Sequence, residues 1–414
     1  MIRVTQFIHG KGTVSDAIKH RKKAPAEIPR HLLAFSETRR PIIFWNLTNK
    51  CNLSCSHCYI NADPGAARPD ELSLSEIKAV VDDLASIGTP LILLSGGEPL
   101  VRDDFWEITA YIKSKGMKSA LSTNGTLIDR DVAARLRENG VEYAGISLDG
   151  ASAKTHDRLR NCEGSFDASV AALRACREAG LMSGVRITVA KDNYRELSEL
   201  IELAEREGAS RFCLYWLVPS GRGGEGHQAR QLNATEVQEI IDVLFKKAHE
   251  IDPKKLEILT VDSPQDSIYF LRRMREEDPV NARMVEELLS FTGTGCTAGD
   301  RVANIDPSGN VYPCQFTQEA ALLVGNIREK SFSVLWNDEN NPVLRAFRKR
   351  PVELEGACGS CIEKKTCGGG CRARAYLGTK KLSSEDPFCS VRTPREAEPA
   401  GCTGDASVMF PRLH

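Results

Sequence analysis

Short apolar runs typical of β-strands alternate with helical patterns along the first half of the chain. The first helical pattern covers residues 73–87, where Ser73 and Glu76 form a capping box and Gly88 supplies a stop. Such alternation favours parallel strands joined by right-handed crossovers. Six units are too few for a closed eight-unit barrel, so the sequence predicts an α/β fold, an open partial (β/α)6 TIM barrel. The predicted strands are 42–47, 91–94, 118–121, 143–148, 185–189 and 212–217.

The fourteen cysteines of the 414-residue chain are concentrated in two places. Three lie at Cys51, Cys55 and Cys58, and seven lie between Cys296 and Cys389. In a reducing compartment, clustered cysteines indicate metal ligation or catalysis rather than disulfides. A second, cysteine-rich domain therefore follows the barrel. The expected divisions are a lead-in at 1–41, the barrel at 42–226, a helical bridge at 227–294, the cysteine-rich domain at 295–390 and a tail at 391–414.

Charge and hydropathy exclude several classes of protein. A formal net charge of -1 gives no bulk attraction to nucleic acid or to an anionic membrane. No apolar run has the length of a membrane span, and the first residues lack the apolar core of a signal peptide. We therefore expect a cytoplasmic protein with neither a nucleic-acid nor a membrane partner.

The first cysteine group has the spacing Cys51-x3-Cys55-x2-Cys58 and begins directly after the first predicted strand. Three thiolates on a short loop can hold three irons of a [4Fe–4S] cluster, which leaves the fourth iron open for chemistry. A structural zinc knuckle is the alternative that spacing alone leaves open.

Three further motifs follow the next three strands. Residues 96–99 read Gly-Gly-Glu-Pro, residues 122–125 read Ser-Thr-Asn-Gly, and residues 147–150 read Ser-Leu-Asp-Gly. Active sites of βα barrels lie at the carboxyl ends of the strands. All four motifs are therefore expected to meet at one rim.

Together these motifs resemble the radical SAM (S-adenosylmethionine) superfamily across residues 42–217. The resemblance implies that Cys51, Cys55 and Cys58 hold the catalytic cluster, and that the cleavage of SAM yields a 5′-deoxyadenosyl radical that abstracts a substrate hydrogen. It places the Tyr59 backbone at the adenine and the Gly-Gly-Glu-Pro motif at the SAM amino group. The implied cofactor-binding residues are Tyr59, Gly96, Gly97, Glu98, Pro99, Ser122, Asn124, Ser147 and Asp149.

The later cysteines are similar in spacing to the SPASM domain, so three [4Fe–4S] clusters are expected in all. Zinc ribbons are the alternative for Cys-x2-Cys pairs. For the fourth ligand of the first auxiliary cluster, an open iron, Asp300 and Cys402 remain possible. The resemblance implies that Cys296, Cys314 and Cys371 hold the first auxiliary cluster, and that Cys358, Cys361, Cys367 and Cys389 hold the second.

Three stretches resemble the tetrapyrrole-modifying branch of this group, which includes the NirJ and AhbC types. They are residues 45–51, residues 217–223, and residues 368–375 with 385–389; the lead-in at 29–33 looks most like the AhbC type, the 12,18-didecarboxysiroheme deacetylase. The resemblance implies removal of acetate side chains from a tetrapyrrole in heme biosynthesis, with a flavodoxin or ferredoxin as reductant. Arg222, Arg372 and Arg374 could bind the substrate's carboxylates or could brace the fold.

Two other functions remain open. A SPASM maturase that modifies a ribosomal peptide or an enzyme is the first, although the lead-in is shorter than the peptide-binding unit that such maturases often carry. A cluster protein that only carries electrons is the second, but it would have no need of the SAM-binding motif at 96–99.

Overall fold

The computed structural model describes residues 1–10, 40–66, 69–292, 295–350, 352–389 and 391. Most of the predicted lead-in, including residues 29–33, and most of the predicted tail, including Cys402, lie outside these ranges.

One sheet of eleven strands runs through the described chain, in the order β1-β8-β7-β6-β5-β4-β3-β2-β9-β10-β11. The neighbours from β8 to β2 and the pair β2–β9 are parallel, whereas β1 and the strands beyond β9 pair antiparallel. The strands are β1 (Ile2–Arg3), β2 (Ile42–Asn46), β3 (Ile92–Ser95), β4 (Ser119–Thr123), β5 (Val141–Ser147), β6 (Met182–Val189), β7 (Arg211–Trp216), β8 (Glu257–Val261), β9 (Val302–Ile305), β10 (Asn310–Tyr312) and β11 (Gly325–Asn326).

Helices connect the parallel strands. The barrel helices are α1 (Val4–His9), α2 (Leu74–Ser86), α3 (Phe105–Ser114), α4 (Arg130–Glu138), α5 (Ala153–Arg160), α6 (Ser165–Ala179), α7 (Leu197–Arg206), α8 (His227–Arg230), α9 (Ala234–Glu250), α10 (Asp266–Glu277) and α11 (Pro279–Thr292). The cysteine-rich part adds α12 (Phe332–Asn337), α13 (Pro342–Arg348), α14 (Gly356–Ser360), α15 (Lys364–Cys367) and α16 (Arg372–Thr379). No helix of the described ranges combines the length and the apolar character needed to cross a membrane.

The capping box expected at the start of α2 is present. The Ser73 side chain accepts from the Glu76 backbone N–H at 3.4 Å, and the Glu76 carboxylate accepts from the Ser73 backbone N–H at 2.8 Å. These two bonds satisfy N–H groups that a helix leaves unpaired at its start. The helix therefore begins at a fixed place, directly after the loop that carries the first three cysteines.

All six predicted strands occur in the sheet, with bounds shifted by up to three residues. The helical bridge expected at 227–294 also contains a strand that was not predicted, because β8 lies within it and pairs in parallel with β7. A short apolar run of this kind has no periodicity that separates strand from helix, and its helical neighbours favoured a helix. The sequence analysis also missed α3 and α5.

The cysteine-rich part continues the barrel sheet, because β9 pairs in parallel with β2 along Ile42–Val302 to Trp45–Ile305. The Asn304 side chain strengthens this junction by donating to the Phe44 carbonyl at 2.8 Å. The buried side chains of both parts belong to one main apolar core that includes Trp45 and Ile305. The two domains therefore meet through shared hydrogen bonds rather than through a flexible linker.

Candidate active site

A cavity of about 170 Å³ opens at the carboxyl ends of the parallel strands. The three thiols of Cys51, Cys55 and Cys58 line one side of it, as the strand order predicts. The other predicted cofactor-binding residues that line it are Tyr59, Gly96, Gly97, Ser122, Asn124 and Ser147. Of the nine predicted SAM contacts, six therefore lie at one cavity together with the three cysteines. Their contact with SAM remains a prediction.

Each of the three thiols accepts a hydrogen bond. The Leu53 backbone N–H donates to Cys51 Sγ at 3.4 Å, the Ala62 backbone N–H donates to Cys58 Sγ at 3.3 Å, and Arg160 Nη1 donates to Cys55 Sγ at 3.7 Å. Donors aimed at sulfur stabilise its negative charge and are one means by which proteins set the potential of an iron–sulfur cluster.

Asp149 lies behind the cavity wall rather than in it. Its Oδ2 lies 2.6 Å from Arg160 Nη2 and 3.0 Å from His57 Nε2, and its Oδ1 accepts from the Thr188 backbone N–H at 2.9 Å. Burial opposes ionisation, but the Arg160 guanidinium and His57 together outweigh it and hold the pKa of Asp149 well below its usual range. The Asp149 carboxylate binds side chains that brace the cysteine loop, and its proximity to SAM remains a prediction.

Two glycines bring strand β3 against the start of the cysteine loop. A Cβ on Gly97 would lie 2.1 Å from the Lys50 carbonyl oxygen, and one on Gly96 would lie 2.5 Å from the Thr48 carbonyl oxygen. The Gly97 N–H donates to that Thr48 oxygen at 2.7 Å. Only glycine permits so close an approach, so these residues fix the loop's position.

Glu98 is fully buried and does not line the cavity. Its carboxylate accepts from the Thr123 hydroxyl at 2.9 Å and from the Asn124 backbone N–H at 2.8 Å. Burial nevertheless raises the pKa of Glu98 to about 7. Pro99, the next residue, begins a 3-10 turn and is also buried. The structure therefore places both residues behind the cavity wall.

The three cysteines predicted for the first auxiliary cluster come together at the start of α16. Cys314 and Cys371 are buried in one small apolar cluster against which Cys296 packs. Cys371 caps α16, and its Sγ accepts from the Arg374 backbone N–H at 3.5 Å. The choice of fourth ligand between an open iron, Asp300 and Cys402 remains a prediction.

The four cysteines predicted for the second auxiliary cluster surround a cavity of about 20 Å³. Gly369 and Gly370 also line that cavity. The run Gly368–Gly370 has φ angles of 64°, 86° and 80°, three successive left-handed residues that only glycine adopts at low cost. This run turns the chain between Cys367 of the second group and Cys371 of the first. The four cysteines are Cys358, Cys361, Cys367 and Cys389.

Several of the thiols predicted to hold clusters are buried, so they need a bound metal to become thiolates. Burial raises the pKa of Cys51, Cys367 and Cys371 to about 12 in each case. Such thiols stay protonated at neutral pH unless a positive charge stabilises the thiolate, and a coordinating metal deprotonates them. In the described part of the chain no three His, Cys, Asp or Glu side chains converge closely enough to surround a single metal ion.

The three arginines considered for substrate carboxylates brace the fold instead. Arg222 donates to the Cys55 carbonyl at 2.9 Å and to the Ala62 carbonyl at 2.6 Å, so it holds the cysteine loop. Arg372 donates to the carbonyl of Leu382 and two others. Arg374 pairs with Asp386 in the buried interior. Each guanidinium already has acceptors inside the protein.

Sequence reasoning missed other residues of the cavity. Arg160 and Arg186 line it from the barrel, and Gln315 and Phe316 line it from the cysteine-rich domain. The Phe316 ring lies 5.7 Å from the Tyr59 ring, edge to face, so the two domains meet at the cavity. One signal was present in the sequence, since Arg186 is the only charged residue of its strand.

Comparisons with known proteins match two stretches of the chain to family models. Residues 45–204 match the radical SAM superfamily, and residues 296–362 match SPASM, an iron–sulfur cluster-binding domain. The chain is 36% identical to Fe-coproporphyrin III synthase of Methanosarcina barkeri, over 94% of this chain and 97% of the relative. It is 35% identical to pre-heme d1 synthase of Dinoroseobacter shibae, over 85% of this chain and 86% of the relative.

Two further likenesses concern peptide maturation. Mycofactocin maturase MftC of Mycobacterium ulcerans is 33% identical over 83% of this chain and 86% of the relative. SuiB of Streptococcus suis, a solved structure, superposes with a TM-score of 0.66 at 18% identity, over 84% of this chain and 77% of that one. At that identity, the likeness to SuiB shows the fold alone.

Proposed function

Because the chain belongs to the radical SAM superfamily, in the SPASM-containing branch of the Fe-coproporphyrin III and pre-heme d1 synthases, we propose that it removes acetate side chains from a siroheme-derived tetrapyrrole in heme biosynthesis. Membership of the superfamily makes the chain a radical SAM enzyme, with SAM, a SAM-binding [4Fe–4S] cluster and auxiliary clusters as its cofactors. The observation that supports this choice of substrate is the 36% identity to Fe-coproporphyrin III synthase along nearly the whole of both chains.

The proposal assigns roles to the residues at the cavity. Cys51, Cys55 and Cys58 would hold three irons of the catalytic cluster and leave one open for SAM. When bound, these cofactors supply a 5′-deoxyadenosyl radical able to abstract a substrate hydrogen atom. Arg160 stabilises charge on Cys55, and the edge-to-face contact of Tyr59 with Phe316 joins the barrel to the cysteine-rich domain at the cavity.

The cysteine-rich domain would hold two further clusters, one in each thiol group described above. Buried thiols beside N–H donors support this role, as at Cys371. A flavodoxin or ferredoxin is proposed as the reductant, on the general requirement of the class for an electron.

The test is an anaerobic assay of the reconstituted protein with dithionite, SAM and 12,18-didecarboxysiroheme, followed by mass spectrometry. We expect 5′-deoxyadenosine to form together with a tetrapyrrole that has lost its acetate groups. The Cys51→Ala variant is the control, since it should form neither product. Formation of 5′-deoxyadenosine by the wild type with an unchanged tetrapyrrole would reject this substrate.

Peptide maturation is the second candidate, favoured by the 33% identity to mycofactocin maturase MftC. The two candidates differ in what binds in the cavity, a flat tetrapyrrole or an extended peptide. If the tetrapyrrole assay yields only 5′-deoxyadenosine, the next assay would offer precursor peptides under the same conditions and look for a change in peptide mass.

A further inference from the structure

Arg186 is a cation on the inner face of the barrel, at the cavity. It lies on β6 beside Ser147 of β5 and Cys213 of β7 in the strand register. It lines the same cavity as the three thiols predicted to hold the catalytic cluster. A charged side chain in the carboxyl-terminal half of a barrel strand therefore faces the place where the ligands of this fold bind.

The protein gives Arg186 a neutral hydrogen-bonding partner and a carboxylate that lies beyond ion-pair distance. Arg186 forms no ion pair with a carboxylate of the described residues, and its hydrogen-bonding partner is the neutral Tyr215 hydroxyl. Asp262, at the end of β8, influences it electrostatically but does not pair with it. The other arginine of the cavity, Arg160, lies 2.6 Å from Asp149 and is neutralised. Taking a cation partly out of water without an ion-pair partner is costly, so an anion from outside the chain would stabilise it.

The surroundings hold the Arg186 side chain in place. Its guanidinium carbon lies 4.7 Å from the centre of the Tyr215 ring, a cation–π contact that fixes the plane of the group. A Cβ on Gly145 would lie 2.5 Å from Arg186 Cδ, so the glycine leaves room for the side chain to cross the strand. A planar guanidinium held in this way is suited to a carboxylate, which it can bind through two parallel hydrogen bonds.

We propose that Arg186 is the carboxylate-binding residue of this cavity. Two ligands could bring the carboxylate, namely a tetrapyrrole substrate through an acidic side chain or SAM through its amino-acid end. The substrate form of the proposal rests on the proposed function, whereas the SAM form does not. In either form the lost interaction is a charged hydrogen bond, so substituting Arg186 weakens binding roughly 10- to 100-fold.

The experiment compares the wild type with Arg186→Gln, Arg186→Lys and Arg135→Gln, all reconstituted anaerobically. Arg135 is the matched control, because its guanidinium carbon also lies over an aromatic ring, 4.1 Å from the centre of Trp106, but it lies on α4 outside the cavity. Absorbance titrations measure binding of iron coproporphyrin III and of its fully esterified form, which has no ionised carboxylate. Equilibrium dialysis measures binding of radiolabelled SAM. Circular dichroism and iron content show that each variant has folded.

Each outcome is decisive. If Arg186→Gln binds the acid porphyrin more weakly than the wild type but binds the ester equally well, and Arg186→Lys recovers part of the lost affinity, the proposal is supported with the substrate as the source of the carboxylate. Weaker binding of SAM alone supports it with SAM as the source. Binding of both ligands as tight as in the wild type overturns the proposal and leaves the proposed function standing. A wild type that binds neither porphyrin form counts against the proposed function, and the SAM titration then decides the role of Arg186.

Discussion

The substitution Asp386→Asn should loosen the segment that carries cysteines of both auxiliary sites. Arg374 and Asp386 form two parallel hydrogen bonds at 2.8 and 2.9 Å, and their side chains are 1% and 0% exposed. Asp386 also accepts from the Cys371 backbone N–H at 2.8 Å, while the Cys389 N–H donates to the Asp386 carbonyl at 3.0 Å. One residue thus contacts a cysteine of each group, Cys371 through its carboxylate and Cys389 through its backbone carbonyl, and the carboxylate is held by the buried Arg374 guanidinium.

The size of the effect follows from the burial of Arg374. Removing one partner of a buried ion pair costs about 3–5 kcal/mol, because the other charge is left without compensation. If the whole 414-residue chain unfolds as one unit, this lowers the melting temperature by about 3–6 °C. If the cysteine-rich part unfolds alone, the same free energy lowers its melting temperature by about 15–25 °C, because fewer residues share the entropy of unfolding.

Calorimetry of the anaerobically reconstituted protein measures the melting temperature and shows whether the chain unfolds as one unit. Iron and sulfide assays measure the loss of clusters. We expect Asp386→Asn to lose auxiliary iron and to keep the catalytic cluster, because ligand binding and local folding are coupled. Glu353→Gln is the control, since it breaks the exposed ion pair with Lys349 in the same domain and should leave the melting curve unchanged. An Asp386→Asn variant with wild-type melting and full iron content would refute this reasoning.

Three other substitutions test the barrel site. Gly97→Ala would force a Cβ to within 2.1 Å of the Lys50 oxygen, so it should displace the cysteine loop, lower the free energy of unfolding by about 1–3 kcal/mol and cause loss of catalytic iron. The control Gly65→Ala has room for its Cβ and should keep its iron. Equal iron contents in the two variants would contradict this. Because burial raises the pKa of Glu98 to about 7 from 4.5, the folded protein gains stability from the protonated form, and this gain is lost as the pH rises through 7. Before SAM is added, the melting temperature of the wild type should therefore fall relative to Glu98→Gln between about pH 4.5 and 7; parallel curves would contradict the shift. Cys51→Ala should abolish SAM cleavage and retain auxiliary iron, and retained cleavage would refute the assignment of the first cysteine group.

The order of the barrel strands could be predicted from the sequence because local signals were strong. Capping residues such as Ser73 and glycine stops such as Gly88 marked the helix ends, and apolar runs marked the strands between them. Strand β8 could not be predicted in the same way, because a short apolar run between two long helical patterns has no period of its own. Its place depends on pairing with β7, which is a tertiary interaction.

The site was predictable where the motif fixes the residue type, as for the cysteines and the glycines of the 96–97 pair. It was less predictable where a charge needs a partner distant in sequence. Asp149 belongs to a sequence motif, but only the fold shows that its carboxylate pairs with Arg160. The Arg374 guanidinium is of a kind that could bind a substrate carboxylate, but only the fold shows that it pairs with Asp386. Sequence patterns locate charges, while their neutralisation depends on packing.

The shared ladder of β2 and β9 has a consequence for the synthesis of the chain. Strand β2 ends at Asn46, and β9, which covers its outer edge, begins at Val302. At 5–20 residues per second the ribosome needs roughly 10–50 s to make the intervening chain. During that time β2 presents an unpaired backbone edge, a template on which other chains can add. Among the residues that the structure describes, the sheet ends instead at β1 and β11, two strands of two residues each, which offer little for another molecule to pair with.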